Sequence, residues 1–250
     1  MPKKAPSVTE TVMKTLLQNR NTAAIILAAG NSTRMGKGRN KQMEKICGVP
    51  VLALSMRAYQ RCALIRDIIV VTREEDLDAV YELAKVHKID KLRQVVVGGA
   101  TRQQSAEQGI KALTADVKYV AIADGARCLT TTEQIATVCL RAYRTKAAVA
   151  AHEVSDTVKR TNATGFVKET VDRKNLWQAQ TPQVFHTSLY TAALYRAMED
   201  GFEGTDDASL VEHLGYRVQM VECGRENIKI TTPDDVSLAE AILSYRRTKK

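Results

Sequence analysis

The sequence predicts an α/β fold: a mostly parallel, twisted sheet flanked by helices, with a β-hairpin arm projecting from it. Two observations carry the sheet. Short, nearly all-apolar runs at 23–28, 68–71, 95–97 and 119–122 read as strands buried on both faces. Between them, residues 51–63, 75–87 and 102–113 have helical spacing, as in Leu77, Val80, Tyr81 and Ala84. A third observation carries the arm. Over 155–170 the chain turns polar and reads as two extended strands around the turn Asn162-Ala163-Thr164-Gly165, too polar to pack inside.

The later elements announce themselves by their starts. Thr205-Asp206-Asp207 and Thr232-Pro233-Asp234-Asp235 each place a cap residue before first-turn acids, and the second helix runs on through Ala239, Ile242 and Leu243. Trp177 and Phe185 read as packing anchors for the base of the arm, and Gln180-Thr181-Pro182-Gln183 by itself reads as a turn. At the N-terminus, Val12, Leu16 and Leu17 space a short amphipathic helix of a length marginal in isolation. The expected organisation is a basic extension over 1–22 and a single domain over 23–246, with the arm inserted at about 153–174.

At 250 residues, 44% hydrophobic and 26% charged, the chain can bury one sizeable core. No apolar run approaches the roughly 20 residues that span a bilayer, and no secretion signal is legible, so a cytoplasmic location is expected. Cys47, Cys62, Cys128, Cys139 and Cys223 are scattered, and so are His87, His152, His186 and His213; the expectation is reduced thiols in the core and no transition-metal site. The net charge is +9, but Lys3, Lys4, Lys14 and Arg20 at one end and Arg246, Arg247, Lys249 and Lys250 at the other hold most of the excess. A nucleic-acid face belongs in the fold itself, so the basic ends read as solvated tails, with neither nucleic acid nor membrane as partner.

In an open parallel sheet, ligands bind beyond the carboxyl ends of the strands, which directs attention to the loops after the first, third and fourth runs. The first, from Ala28-Ala29-Gly30 to Lys41-Gln42, joins glycines and small residues to Arg34, Lys37, Arg39 and Lys41, the mix a loop needs to approach and neutralise a polyphosphate. It matches neither a P-loop, since five residues separate Gly30 from Gly36-Lys37, nor a dinucleotide fingerprint, which Gly30-Asn31-Ser32 breaks. After the third run, Gly98-Gly99-Ala100-Thr101-Arg102 allows close backbone approach, and a helix beginning near Arg102 would offer free N–H groups to a base or ribose. After the fourth, Asp124 and Arg127 pair a possible Mg²⁺ ligand with an anion binder.

In order along the chain, Leu27-Ala28-Ala29-Gly30 with Arg34-Met35 and Lys41-Gln42, Gly98-Gly99 with Arg102 and Ser105, Asp124 with Ala126-Arg127, Asp156-Thr157-Val158-Lys159-Arg160, Thr170-Val171-Asp172-Arg173 with Leu176-Trp177, Gln180-Thr181-Pro182-Gln183 and Asn227-Ile228-Lys229 resemble the 2-C-methyl-D-erythritol 4-phosphate cytidylyltransferase family of the non-mevalonate isoprenoid pathway. The resemblance implies a Rossmann-like nucleotidyltransferase fold and transfer of CMP from CTP to a polyol phosphate, with pyrophosphate released. It implies Arg34, Lys41 and Lys229 as catalytic cations, and Ala28, Ala29, Gly30, Gly99, Ala100, Arg102 and Ser105 as the CTP cradle. Asp124 would hold Mg²⁺ or another divalent cation, and Arg127, Thr157, Arg173 and Thr181 would bind the acceptor. The implied assembly is a homodimer with arm exchange, in which Thr157 and Arg173 serve the neighbouring subunit.

The chain departs from the family pattern at Asn40, where proline usually precedes the lysine, at Ala123 and Gly125 beside Asp124, at Cys128 and at Glu226. Asn40 leaves an expectation of greater backbone freedom around Lys41. Ribitol-5-phosphate cytidylyltransferase is the rival within enzymes, ranked second on 156–160 and 170–173. A non-catalytic module binding nucleic acid or membrane through its basic ends is the rival of another class.

Overall fold

The computed structural model describes residues 21–30, 35 and 40–248. Nearly all of the expected extension 1–22, together with Lys249 and Lys250, lies outside the described residues. The central sheet has seven strands in the order β11-β7-β10-β6-β1-β4-β5, with β1 (Thr22–Leu27), β4 (Ile65–Thr72), β5 (Leu92–Val97), β6 (Tyr119–Asp124), β7 (Ala147–Glu153), β10 (Trp177–His186) and β11 (Gln219–Glu222). β1 pairs parallel with β4 and β6, β4 with β5, and β11 with β7; β10 alone runs against its neighbours. The predicted mostly parallel sheet is therefore present.

Its two faces follow from strand alternation. Ala24, Ile26, Ile68, Val70, Ala121 and Ala123 pack against α1 (Val51–Arg61), α2 (Leu77–Val86) and α4 (Thr132–Thr145) through Leu52, Met56, Tyr59, Val80, Ile135 and Val138. Ile25, Leu27, Ile69, Val71, Val120 and Ile122 turn to the other side, towards α3 (Arg102–Lys111), α5 (Thr187–Glu199) and α6 (Asp207–His213), meeting Ala106, Tyr190, Leu194 and Val211. With β1 covered on both faces and both edges, each buried isoleucine there contributes about 1.5–3 kcal/mol. A third cluster joins the turn β2 (Lys45–Ile46) and β3 (Val49–Pro50) to α7 (Pro233–Thr248), with Met35, Ile46, Val51, Leu129, Ile230 and Ala239 seating the end of the first loop.

The arm is the antiparallel pair β8 (Val158–Thr161) and β9 (Val167–Val171), a two-stranded sheet of its own. Asn162 closes the turn by accepting from the N–H groups of Thr164 and Phe166 on its Oδ1. Phe166, 74% exposed, stands at the tip.

Several sequence expectations are corrected. Gln180-Thr181-Pro182-Gln183 is not a free-standing turn but the irregular middle of β10, where the register against β7 shifts between Ala179 and Gln183. Asp206 rather than Thr205 caps α6, its carboxylate accepting from Ser209 N. Arg246 is not part of a solvated tail: α7 carries it to Glu226 (2.9 Å) and to the carbonyl of Leu129 (2.7 Å). Phe185 is buried and stacks on Tyr190, as a packing anchor should, and four of the five cysteines are buried.

Candidate active site

Because Leu27 pairs with both Val71 and Asp124, and Thr72 with Val97, four parallel strands end at one level. The loops that follow enclose a cleft of about 520 Å³. The loop after β1 lines it with Ala29, Gly30, Lys41 and Gln42, the loop after β5 with Gly98, Gly99, Ala100, Thr101, Arg102 and Ser105, and the end of β6 with Asp124 and Ala126; Lys229 arrives from beyond β11. Ala28 is buried in the core instead, its N–H donating to Val71 O. Arg34 lies outside the described residues.

Asp124 is the electrostatic centre. Its side chain is 12% exposed and meets Lys229 Nζ at 2.9 Å, Arg102 at 3.5 Å and Arg127 at 3.6 Å. Burial pushes its pKa up, but Lys229, Arg102 and Arg127 outweigh that and hold it at about 2. Its own N–H donates to Thr181 Oγ1 at 3.0 Å. The carboxylate therefore stays charged at any physiological pH.

Two residues without an assigned role from sequence hold this centre in place. Asn227, fully buried, donates to Thr181 O and Gln180 Oε1, accepts from Thr130 on its side chain, and accepts from the Arg127 guanidinium on its carbonyl at 2.6 Å. It thereby fixes Thr181, Arg127 and the segment that carries Lys229. Asp207, 1% exposed, grips Arg102 at 2.6 Å and accepts from the Tyr190 hydroxyl at 2.6 Å. Arg102 is thus shared between a buried and a cleft carboxylate, and after the opposing effect of burial these two raise its pKa further.

The loop after β5 departs from expectation. The amides of Gly99, Ala100, Thr101 and Gln104 are not free: they donate to Ser105 Oγ, to Gln104 Oε1 twice, and to Thr101 Oγ1. A capping box between Thr101 and Gln104 takes up the Gln104 amide, which leaves the expected offer of open N–H groups at the helix start to Arg102 and Gln103. The close approach at Gly98 is real, but between loops: a Cβ there would lie 2.6 Å from that of Ala29 and 2.8 Å from Ser105 Oγ. Sequence reasoning also passed over the loop after β4, where Thr72, Arg73, Glu74 and Glu75 line the cleft. The signal was present as a charged run directly after an apolar strand. The expected backbone freedom at Asn40 is offset as well, since its side chain bonds to Asp76 and to Gln42 N.

Thr157 and Arg173 are exposed on the arm and do not line the cleft of their own chain; Arg173 donates to Ser155 O. Among the described residues no group of three or more His, Cys, Asp or Glu side chains could hold a metal. Asp124 and Gln42 both line the cleft, and the buried Gln42 Oε1 has no hydrogen-bond partner among the described residues. One carboxylate and one spare acceptor fit a hard cation that takes most of its oxygens from phosphates and water.

A mostly parallel sheet whose strand ends bring glycine-rich loops, converging cations and one charged carboxylate into a single cleft fits a nucleotidyltransferase. The crystal structure of 4-diphosphocytidyl-2C-methyl-D-erythritol synthase from Anaerococcus prevotii superposes with a TM-score of 0.81 at 30% identity, covering 92% of this chain and 99% of that one. The 2-C-methyl-D-erythritol 4-phosphate cytidylyltransferases of Caldanaerobacter subterraneus subsp. tengcongensis and Syntrophus aciditrophicus are 44% and 41% identical, over 89% and 88% of this chain and 99% and 94% of their own lengths. The sequence profile of the 2-C-methyl-D-erythritol 4-phosphate cytidylyltransferase family matches residues 22–245, and the chain belongs to that family. These relatives favour neither the ribitol phosphate reading nor a non-catalytic module.

Proposed function

We propose that the chain transfers CMP from CTP to 2-C-methyl-D-erythritol 4-phosphate, giving 4-diphosphocytidyl-2-C-methyl-D-erythritol and pyrophosphate. The observation that carries this is Asp124 held among Lys229, Arg102 and Arg127 in the cleft that Lys41 also lines. A phosphomonoester already carries roughly −1.5 to −2 charges at pH 7, so the attacking oxygen needs no general base. Its obstacle is repulsion by the triphosphate. A phosphate oxygen of the acceptor bonds to the α-phosphorus as the bond to the pyrophosphate oxygen breaks. Arg34, Lys41 and Lys229 offset the charge on the phosphates, while Arg127 and Thr181 orient the acceptor. Ala29, Gly30, Gly99, Ala100, Arg102 and Ser105 shape the CTP subsite, with Ala28 fixing the start of that wall from the core. Asp124 would hold Mg²⁺, which when bound supplies charge neutralisation across the phosphates.

The exposed position of Thr157 and Arg173 on an arm supports a homodimer in which each arm completes the partner's cleft. A cytoplasmic setting goes with the substrates; among the described residues no helix is long and apolar enough to cross a membrane. The test is pyrophosphate release with CTP and Mg²⁺, offering methylerythritol 4-phosphate and ribitol 5-phosphate separately, with UTP as control. Turnover with CTP and the methylerythritol phosphate alone is expected. Turnover with ribitol 5-phosphate alone would overturn the acceptor assignment.

A further inference from the structure

Lys41 presents its ammonium to the cleft on a flexible four-carbon stem, so the position of the backbone beneath it contributes to where the charge falls. Its two neighbours are both tied down. Asn40 donates from Nδ2 to both oxygens of Asp76 (3.0 and 3.1 Å), accepts from Gln42 N on Oδ1 (3.1 Å), and accepts from Met43 N and Glu44 N on its carbonyl (2.9 and 3.2 Å). Gln42, the other neighbour, is buried and donates its amide to that same side chain. Asp76 is only 14% exposed and is gripped in turn by Arg73, with Nε and a terminal nitrogen each at 2.7 Å. Arg73 lines the cleft and also reaches Glu75 at 2.9 Å. A chain of bonds therefore runs from the loop after β1 to the loop after β4 and spans the two residues that flank Lys41.

We infer that Asn40 is the positioning residue for Lys41, setting its place through a clasp with Asp76 and Arg73. This rests on Lys41 acting in the transfer as proposed above. Asn40 suits the role because the clasp needs a donor towards a carboxylate and an acceptor towards Gln42 N at once, and an amide carries both. A carboxylate at position 40 would keep the acceptor but set two negative charges against each other.

The test is the pair swap. Asn40→Asp, Asp76→Asn and the double variant, which restores a donor facing an acceptor with the two exchanged, are compared for kcat, for KM towards CTP and acceptor, for Tm, and for hydrogen exchange at the Gln42, Met43 and Glu44 amides. Each single variant is expected to lower kcat by about 10- to 100-fold with KM for the acceptor little changed, as a misplaced catalytic group does. Tm should move by no more than about 4 °C, and exchange at the three amides should accelerate. The double variant should recover at least about tenfold in kcat over Asn40→Asp and regain protection. Single variants within about twofold of wild type, or a double variant no better than the worse single, would overturn the clasp. Asn40→Ala, which adds no charge, takes the place of Asn40→Asp should that variant not fold. Failure of the functional reading shows separately, as a wild-type protein without turnover; exchange at the three amides then decides the clasp on its own.

Discussion

At Asp124 the protein keeps a nearly dry carboxylate ionised by surrounding it with three cations, and the consequence can be read in stability. Its pKa falls from 3.8 to about 2, so the contribution is complete above the unfolded value and is lost as pH drops from 3.8 through 2. About 2 kcal/mol of acid-dependent stability is expected, seen as a steeper loss between pH 5 and 2 in the wild type than in Asp124→Asn when both are unfolded with urea. Catalysis should not follow that titration. The acid limb of kcat/KM should instead lie near pH 6, where the acceptor phosphate loses its second charge. Lys41→Ala, Lys229→Ala and Arg34→Ala are each expected to cut kcat by 10² or more while far-UV circular dichroism stays unchanged. Asp207→Asn breaks a half-buried charge pair and should cost about 1–3 kcal/mol in urea unfolding, because Arg102 loses its nearest partner and keeps only Asp124 at 3.5 Å. Only some of these roles were legible in the sequence. Arg102 and Asp124 stood out beside glycines at strand ends, but Asp207 and Asn227 are 105 and 100 residues from the arginines they hold, and no local pattern joins them.

Elements were legible where local preference and tertiary environment agree. The apolar runs of β1, β4 and β6 became strands because the same residues that favour extended backbone also fill both sheet faces, whereas β5, expected to be buried on both faces, lies at the sheet edge, buries only Val95 and leaves Val97 43% exposed. β7 was not marked: Ala147-Ala148-Val149-Ala150-Ala151 has helical propensity, and it is a strand because β10 and β11 hydrogen-bond it on both sides. β10 was missed for a related reason, since proline in its middle reads as a breaker while the register shift there absorbs it. The start of α3 makes a prediction at this scale. Thr101→Ala removes the cap that bonds Gln104 N and should lower stability by about 1 kcal/mol, a Tm decrease of about 2–4 °C by calorimetry. Since the same capping box holds Ala100 and Thr101 in the cleft wall, KM for CTP should rise several-fold with it.

For the whole molecule, the proposed arm exchange makes a prediction that no single-chain property can mimic. If Arg173 serves the partner's cleft and Lys41 its own, a mixture of Lys41→Ala and Arg173→Ala proteins, each nearly inactive, should regain about a quarter of wild-type activity after subunit exchange, because half the dimers are mixed and each of those holds one complete site. Two sites confined to their own chains would give no recovery. The basic surplus belongs to this scale too. Arg246 is committed to Glu226 and Leu129, which leaves the fold less of a free cationic tail than its composition suggests.

By itself the sequence determined the α/β class, the mostly parallel sheet, the arm and the loops in which cations and glycines gather, because each of these is written in neighbouring residues through periodicity, turn chemistry and short motifs. The tertiary structure alone decided that the loop after β4 joins the cleft, that the amides of Gly99, Ala100, Thr101 and Gln104 are already taken, that Asn40 is fastened to Asp76, and that buried Asp207 and Asn227 hold Arg102 and Arg127. Those outcomes depend on which partners the folded chain brings within hydrogen-bond distance across tens of residues. A buried polar group must find some partner, but its own surroundings in the sequence do not say which one.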